Sequence, residues 1–254
     1  MRKIIVTEFI TLDGVIEAPG GNETPHPHGG WQSAYNSPEG GKYKIDELSS
    51  VDTLLLGKTT YEGFAAYWPG QTGGGFADPI NQMPKYVVSR TLQKVEWNNS
   101  HILRDVAKDV AALKNSEGGN ILVYGSATLV RALLHHDLID ELRLMVYPLS
   151  IGGGLRLFDD SRELKKFGLK HSHVADGVLI LEYQPMKSVL ELKSLKSYIL
   201  AYRNVGIFYE NAVNRMMRDF VTAAKPKWCK VTGQFATRGG MHSTIIAQHG
   251  KTPK

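Results

Sequence analysis

NILVYGSATLVRALLHHDLIDELRLMVYP (residues 120–148) decides the fold. NILVYG (120–125) is a short apolar run closed by a glycine, the pattern of a buried strand that ends in a turn. SATLVRALLHHDL (126–138) has a Ser or Thr at its start to cap a helix, and DELRLMVYP (140–148) returns to strand character. Strand, helix and strand in succession call for a sheet with helices on its faces.

The same alternation extends in both directions. RKIIVTEFI (2–10) is a strand. DTLLLG (52–57) is a short buried strand that ends in a turn glycine and opens a helix through Thr59 and Thr60, and KYVVS (85–89) is a further strand. RDVAKDVAALKN (104–115) places apolar residues at 106, 107, 110, 111 and 113, as an amphipathic helix does. Towards the end, KKFGLKHSHV (165–174) and GVLILEYQP (177–185) are strands with Asp176-Gly177 as their hairpin turn. The expected domain is α/β, with a mixed, mainly parallel sheet that finishes in antiparallel strands.

Chemistry sits where strands turn into helices. LLLGKTTYE (54–62) puts Gly57 and Lys58 at a strand end, where free backbone N–H groups and the helix dipole suit a phosphate and the lysine adds a positive charge. NILVYGSATL repeats the arrangement with Gly125, Ser126, Ala127, Thr128 and Leu129. KYVVSR ends its strand with Ser89 and Arg90, a hydroxyl and a guanidinium able to hold a third phosphate, such as the 2′-phosphate that separates NADPH from NADH. Each turn alone also serves as a plain cap or a solvated charge. Three in one α/β domain, in this order, argue for the phosphate reading.

Composition bounds the rest. The 254 residues, 42% hydrophobic and 22% charged, are balanced as in soluble globular domains. No apolar run approaches the roughly 18 residues a membrane span needs, and MRKIIVTEFITLDG lacks the apolar core and cleavage site of a secretion signal. A single cysteine, Cys229, permits no internal disulfide. A cytoplasmic protein with no membrane partner is expected.

EFITLDGVIEAPGG, LLLGKTTYEGFAAYWP, KYVVSRTL, ILVYGSATLVRALLHHDLIDELRLMVYPLSIGGGLRLF and GVLILEYQP together resemble the dihydrofolate-reductase-like family that includes the reductase domain of bacterial riboflavin biosynthesis. The resemblance covers residues 1–185 and implies a three-layer sandwich. It also implies NADPH as cofactor, with Gly57, Lys58, Thr59 and Thr60 at one phosphate turn and Gly125 to Leu129 beneath the pyrophosphate. Ser89 and Arg90 would lie near the adenosine phosphate. Asp13 matches the family's acid at the pocket mouth, a candidate for the one proton path that hydride transfer needs. The substrate implied is a pterin-, pyrimidine- or riboflavin-precursor-like heterocycle. The long Gly/Pro-rich stretch 17–40 reads as a substrate lid, in which Trp31 and Tyr35 either stack on a flat ring or anchor the loop. His26 and His28 have no evident third partner, and no metal is expected.

The last 69 residues differ in charge. From Lys187 onward there are 12 Lys and Arg against 3 Asp and Glu, whereas residues 1–186 hold 18 against 22. The cations form no unbroken run, so no nucleic-acid arm is expected. ELKSLKSYILAYRN, IFYENAVNRMMRDFV and PKWCKVTGQFATRGG resemble the C-terminal half of the NADPH-dependent 7-cyano-7-deazaguanine reductases of queuosine biosynthesis, which have the tunnelling fold. That resemblance implies a small α+β partial tunnelling-fold tail over 186–254. It carries over Glu191, Lys193, Ser194 and Lys196 as cofactor signature, then Arg203, the base-holding Glu210, and Arg238. It also departs: the family's nucleophilic cysteine and its partner aspartate have no counterpart, Tyr209 stands where histidine is usual, and Cys229 does not match the nucleophile. The tail is expected to bind or to assemble, not to reduce a nitrile. Two helices and two strands make a small core with an open sheet edge, so the segment 177–185 is expected to join the two sheets, or the tail to complete itself between subunits of a homo-oligomer.

Overall fold

The computed structural model describes residues 1–21, 24–73, 75–161, 163–186, 192–202, 205–224, 226, 228–238 and 241–251, with backbone alone at 192–194, 237, 238 and 241. By its contacts the chain divides into two compact units, Met1–Pro185 and Met186–Lys254.

Among its described residues the first unit holds eight strands in one sheet: β1 (Ile4–Thr11), β2 (Val51–Gly57), β3 (Lys85–Val88), β4 (Ser100–Leu103), β5 (Asn120–Tyr124), β6 (Glu141–Tyr147), β7 (Phe167–Ala175) and β8 (Val178–Pro185), in the order β4-β3-β2-β5-β1-β6-β8-β7. The six strands from β4 to β6 are parallel, and β8 and then β7 add antiparallel at one end. Asp176 and Gly177 both take positive φ (47° and 87°), the left-handed pair of a tight hairpin turn. Among the described residues five α-helices accompany the sheet: α1 (Pro38–Ser49), α2 (Lys58–Tyr67), α3 (Ala77–Gln82), α4 (Ala111–Asn115) and α5 (Ala127–His135).

Alternation along the central strands divides the core in two. On one face Ile4 and Val6 of β1, Ile121 and Val123 of β5, and Leu142 and Leu144 of β6 pack with Leu129, Val130 and Leu133 of α5. On the other, Ile5, Leu54, Leu56 and Leu122 pack with Leu48 of α1, Tyr61 of α2 and Ile80 of α3. Each such side chain contributes about 1.5–3 kcal/mol by leaving water, which is why the central strands are apolar on both faces. This is the expected three-layer sandwich.

Local structure departs from expectation in three places. The helix foreseen over 104–115 begins as a wider π turn at Val106–Val110, capped by Asp105, and only then becomes α4. The short elements β4 and α3 carry too few residues to show a period. At the end of the stretch 17–40 begins α1, which runs on beyond it and is opened by Ser37, whose Oγ accepts from Gly40 N at 3.1 Å, with Pro38 in its first turn. Its inward residues are Gly40, Lys44, Glu47 and Leu48, so it has almost no apolar stripe to reveal it.

The second unit contains α6 (Leu192–Ala201), α7 (Tyr209–Ala224) and a separate antiparallel pair, β9 (Trp228–Arg238) and β10 (Met241–Gly250). Val213 and Met217, one turn apart on α7, pack with Val231, Phe235, Ile245 and Ala247 of the hairpin. Both edges of β8 are taken by β6 and β7, so that strand does not join the two sheets as expected.

Lys85 opens β3 fully buried, and its Nζ donates to the carbonyls of Asn81 (2.7 Å), Met83 (2.8 Å) and Asn98 (3.2 Å) beneath the Trp97 ring. Lys85→Met leaves three carbonyls without a donor. Urea unfolding should show a loss of about 2–4 kcal/mol with an unchanged slope; a loss under ~1 kcal/mol would show that the carbonyls find water instead.

Candidate functional site

The carboxyl ends of β2, β3, β5 and β1 gather the residues singled out from sequence. Gly57 closes β2 and stands before α2, and Gly125 and Ser126 stand between β5 and α5. Neither helix start is capped by a side chain, so first-turn amides of both are left to an outside acceptor. The two turns touch, with Gly57 N donating to Gly125 O at 3.3 Å. A side chain at Gly57 would begin 2.5 Å from Ser126 Oγ and 3.0 Å from Ser126 N, so only glycine allows this approach. Thr60 Oγ1 lies 2.9 Å from where a side chain on Gly125 would begin.

Ser89 follows β3, whose Val88 is paired with Gly57, and is therefore one strand over. Its Oγ accepts from Thr91 N (3.2 Å) and Leu92 N (3.0 Å), which leaves the hydroxyl proton to donate. Arg90 is exposed and forms no ion pair among the described residues. Lys58 is exposed beside Glu62, 3.8 Å away, a surface pair worth well under ~1 kcal/mol. Arg104, which sequence reading did not single out, donates to the Ser89 carbonyl at 2.8 Å and adds a cation to the same edge.

Asp13 lies just past β1. Its carboxylate accepts from the Thr11 hydroxyl (2.6 Å), Gly152 N (2.8 Å) and Ile151 N (3.4 Å), while Arg156 Nε donates to its carbonyl at 3.0 Å. These bonds, the Thr11 hydroxyl first, pull its pKa down to about 2. Asp13 is thus an ionised clamp on the loop 151–156. Trp31 and Tyr35 both meet Tyr147 edge-on, at 5.2 and 5.7 Å, and Trp31 Nε1 donates to Glu17 O, so these aromatics anchor the loop. His26 Nε2 is 3.0 Å from Gly153 O, and its Nδ1 accepts from His28 N.

Sequence reading missed a buried polar cluster beneath α1. Tyr124, Thr7, Arg143 and Glu182 lie side by side across β5, β1, β6 and β8. Lys44 of α1 donates to Thr7 Oγ1 at 2.7 Å, pairs with Glu47, and lies 4.8 Å from the Tyr124 ring centroid. Glu47, fully buried, also faces Arg143 at 3.5 Å, and Tyr43 OH donates to Glu182 at 3.0 Å. Tyr124 OH, Glu47 Oε1 and Arg143 Nε are buried without a hydrogen bond among the described residues. Next to Thr7, Glu8 accepts from Gly125 N at 2.9 Å, and burial raises its pKa to about 8. The signal in the sequence was a lone acid in a strand otherwise made of apolar residues and threonine. A cleft of about 510 Å³ between α2 and Leu92–Trp97 lines none of these residues.

In the tail, Glu191 and Arg203 lie outside the described residues, and only the backbone of Lys193, Ser194 and Arg238 is described. Lys196 is exposed on α6, and Glu210 is exposed in the first turn of α7. Tyr209 stacks on Phe235, ring centroids 3.9 Å apart. Cys229 on β9 is half-buried against the small core.

The profile of the RibD C-terminal domain matches residues 2–181. The chain belongs to the RibD C-terminal domain family. Its fold is shared with a putative riboflavin biosynthesis protein from Shewanella sp. PV-4 (TM-score 0.55, 21% identity, 72% of this chain and 99% of that one). A pyrimidine reductase-like protein from Corynebacterium diphtheriae is also similar (TM-score 0.54, 12% identity, 73% of this chain and 92% of that one). Residues 176–254 match the profile of QueF-like proteins. There the chain is 51% identical over 75 residues to the NADPH-dependent 7-cyano-7-deazaguanine reductase of Elusimicrobium minutum, covering 30% of this chain and 57% of that protein. With the Anaeromyxobacter sp. (strain K) enzyme of the same name it shares 47% over 73 residues, 29% of this chain and 60% of that protein. The chain thus spans little more than half of these relatives. The two matched regions overlap at residues 176–181, the turn and first half of β8.

A carboxylate held low contributes stability above its ordinary pKa and loses it as pH falls through the folded value. The wild type should therefore lose thermal stability between about pH 4 and pH 2 partly through Asp13. Asp13→Asn should flatten that stretch of the Tm-against-pH curve; an unchanged slope would remove Asp13 from the acid-sensitive groups.

Proposed function

We propose that residues 1–185 form an NADPH-dependent reductase domain acting on a flat heterocycle of pterin, pyrimidine or riboflavin-precursor type. Residues 186–254 then form a second domain, and the protein works in the cytoplasm. Among the described residues no helix is long and apolar enough to cross a membrane.

The reading is carried by the two uncapped helix starts that meet at Gly57 and Gly125. Their amides, from Lys58 to Thr60 and from Ser126 to Leu129, are suited to a pyrophosphate that only a bare glycine edge lets so close. Ser89 can donate its hydroxyl proton to a 2′-phosphate, and Arg90 supplies a charge that forms no ion pair among the described residues. Bound there, the reduced dinucleotide supplies a hydride. The protein's task is then alignment, exclusion of water and one proton. Asp13, an ionised clamp with a pKa of about 2, is a poor proton source at neutral pH; its proposed part is to hold the loop at the mouth of the site. Family membership and the riboflavin-biosynthesis and pyrimidine-reductase names of the similar structures support the substrate class.

The tail supports a second, narrower reading. Its 51% identity to a nitrile reductase favours a base-binding or assembling module. The chain's one cysteine is packed on β9 against α7, so the thiolate that a nitrile reductase uses is missing from the matched part. We propose homo-oligomer formation through this unit.

Fluorescence titration with NADPH tests both readings. Arg90→Ala should weaken NADPH about 10- to 100-fold, the worth of a charged phosphate contact, and leave NADH nearly unchanged. Stopping the chain after Pro185, or replacing Lys193 and Lys196 by Ala, should leave NADPH affinity intact while truncation lowers the oligomer mass. Binding that vanishes with the tail lysines and survives Arg90→Ala would move the cofactor to the tail.

A further inference from the structure

We propose that Glu8 is the proton donor of this site, and that the substrate is a C=N or C=O bond whose heteroatom takes a proton as its carbon takes hydride. The inference rests on the reductase reading above and adds the acid that reading lacks.

Placement argues for it first. Glu8 sits on β1 with 8% of its surface exposed, where the strand passes beside the Gly125 turn. Its Oε1 accepts from Gly125 N at 2.9 Å, and its two oxygens lie 3.9 and 4.0 Å from the point where a Gly125 side chain would begin. Thr60 Oγ1 approaches the same point to 2.9 Å, so acid and hydroxyl flank the bare face of the glycine turn. Oε2 makes no hydrogen bond among the described residues. A protonated Glu8 would accept through Oε1 and present Oε2–H.

The surroundings favour that protonated form. The charges that face Glu8 are Lys44 and Glu47, both on α1, and they oppose each other. Lys44 is already engaged by Glu47 and Thr7, so it offers Glu8 no free counter-charge. From β6 the register partner is Leu144, and α2 contributes Thr60; neither carries charge. Burial therefore dominates and lifts the carboxyl to about 8, close to the pH at which a donor both holds and releases its proton well.

The step balances as follows. The substrate carbon gains the hydride, with its electron pair, from the reduced dinucleotide, which is left oxidised. The π pair of C=N or C=O moves onto nitrogen or oxygen, that atom takes the proton from Glu8 Oε2, and the resulting carboxylate regains a proton from water.

The test is a carboxyl titration by ¹³C NMR on protein labelled at glutamate, with Glu8 assigned as the resonance lost in Glu8→Gln. Gln keeps an oxygen for Gly125 N; should that variant fail to fold, Glu8→Asp removes the same resonance. In the free wild type the Glu8 signal should titrate above pH 7. Saturating NADP⁺, whose ring is cationic, should lower its midpoint by about one unit or more relative to saturating NADPH, whose ring is neutral. A midpoint in the ordinary range of about 4–5 overturns the proposal. So does a high midpoint indifferent to which of the two bound cofactors is present, because Glu8 would then be remote from the reacting ring. If neither cofactor binds the wild type at millimolar concentration, the reductase reading itself fails and the donor role falls with it. Thermal melts give an independent check. A group whose folded pKa is raised loses its stabilising contribution between about 4.5 and 8, so Glu8→Gln should gain in Tm on the wild type from pH 5 to pH 8; parallel curves count against a raised carboxyl.

Discussion

Two parallel strands, β2 and β5, end side by side, and their turns meet so closely that a single methyl group on Gly57 would collide with the hydroxyl of Ser126 and press on its backbone nitrogen. That contact governs the arrangement of the site. It brings the starts of α2 and α5 to one place, and neither helix satisfies its first amides with a side chain. Helix starts at a surface commonly close themselves with Ser, Thr, Asp or Asn. Here Ser126 occupies the capping position of α5 without making the bond. Two helices that leave their positive ends open toward each other would be poorly arranged for stability alone, and they suit an anion spanning both.

The opposite trade appears under α1. Lys44 and Glu47 are taken out of water, a desolvation of several kcal/mol per ion that their mutual attraction offsets only when geometry and further hydrogen bonds are good. Some of those bonds exist, from Lys44 to Thr7 and from Tyr43 to Glu182, but Tyr124 OH, Glu47 Oε1 and Arg143 Nε remain without one among the described residues. A packed apolar helix would have served the sheet equally well. Charges in this position, one strand from the open helix starts, belong with function more readily than with stability.

How much of this could be read in advance follows from the same physics. The strands β1, β2, β5 and β6 were legible because two-sided burial forces apolar runs, and α5 because Leu129, Val130, Leu133 and Leu134 make a regular stripe. The glycine turns were legible because Gly57 and Gly125 end those runs. The helix α1 was hidden for the reason that makes it interesting: its inner face is Gly40, Lys44 and Glu47, so the hydrophobic period is silent exactly where polar groups are buried. Glu8 was visible as a letter but not as an environment, since its place beside the Gly125 turn and the engagement of Lys44 by Glu47 and Thr7 are made by segments distant in sequence. In the tail, the similarity to QueF-like proteins was legible in ELKSLKSYILAYRN and the stretches after it, whereas the use of both edges of β8 depends on the pairing of β7 and could not be read from that strand alone.

Two acids near the end of β1 show what environment adds to sequence. Asp13, in a Thr-Leu-Asp-Gly turn, looks like the reactive one, yet a hydroxyl and two amides donate to its carboxylate and hold it ionised near pKa 2. Glu8, five residues earlier and inside the strand, receives one amide and faces opposed charges, so burial keeps its proton near neutral pH. One group is arranged to hold a loop by its charge and the other to keep a hydrogen. Hydride transfer to a carbon–heteroatom double bond needs the second kind, placed beside the turn where a dinucleotide would lie. The division of labour follows from donor count and solvent access, quantities that a turn motif does not encode.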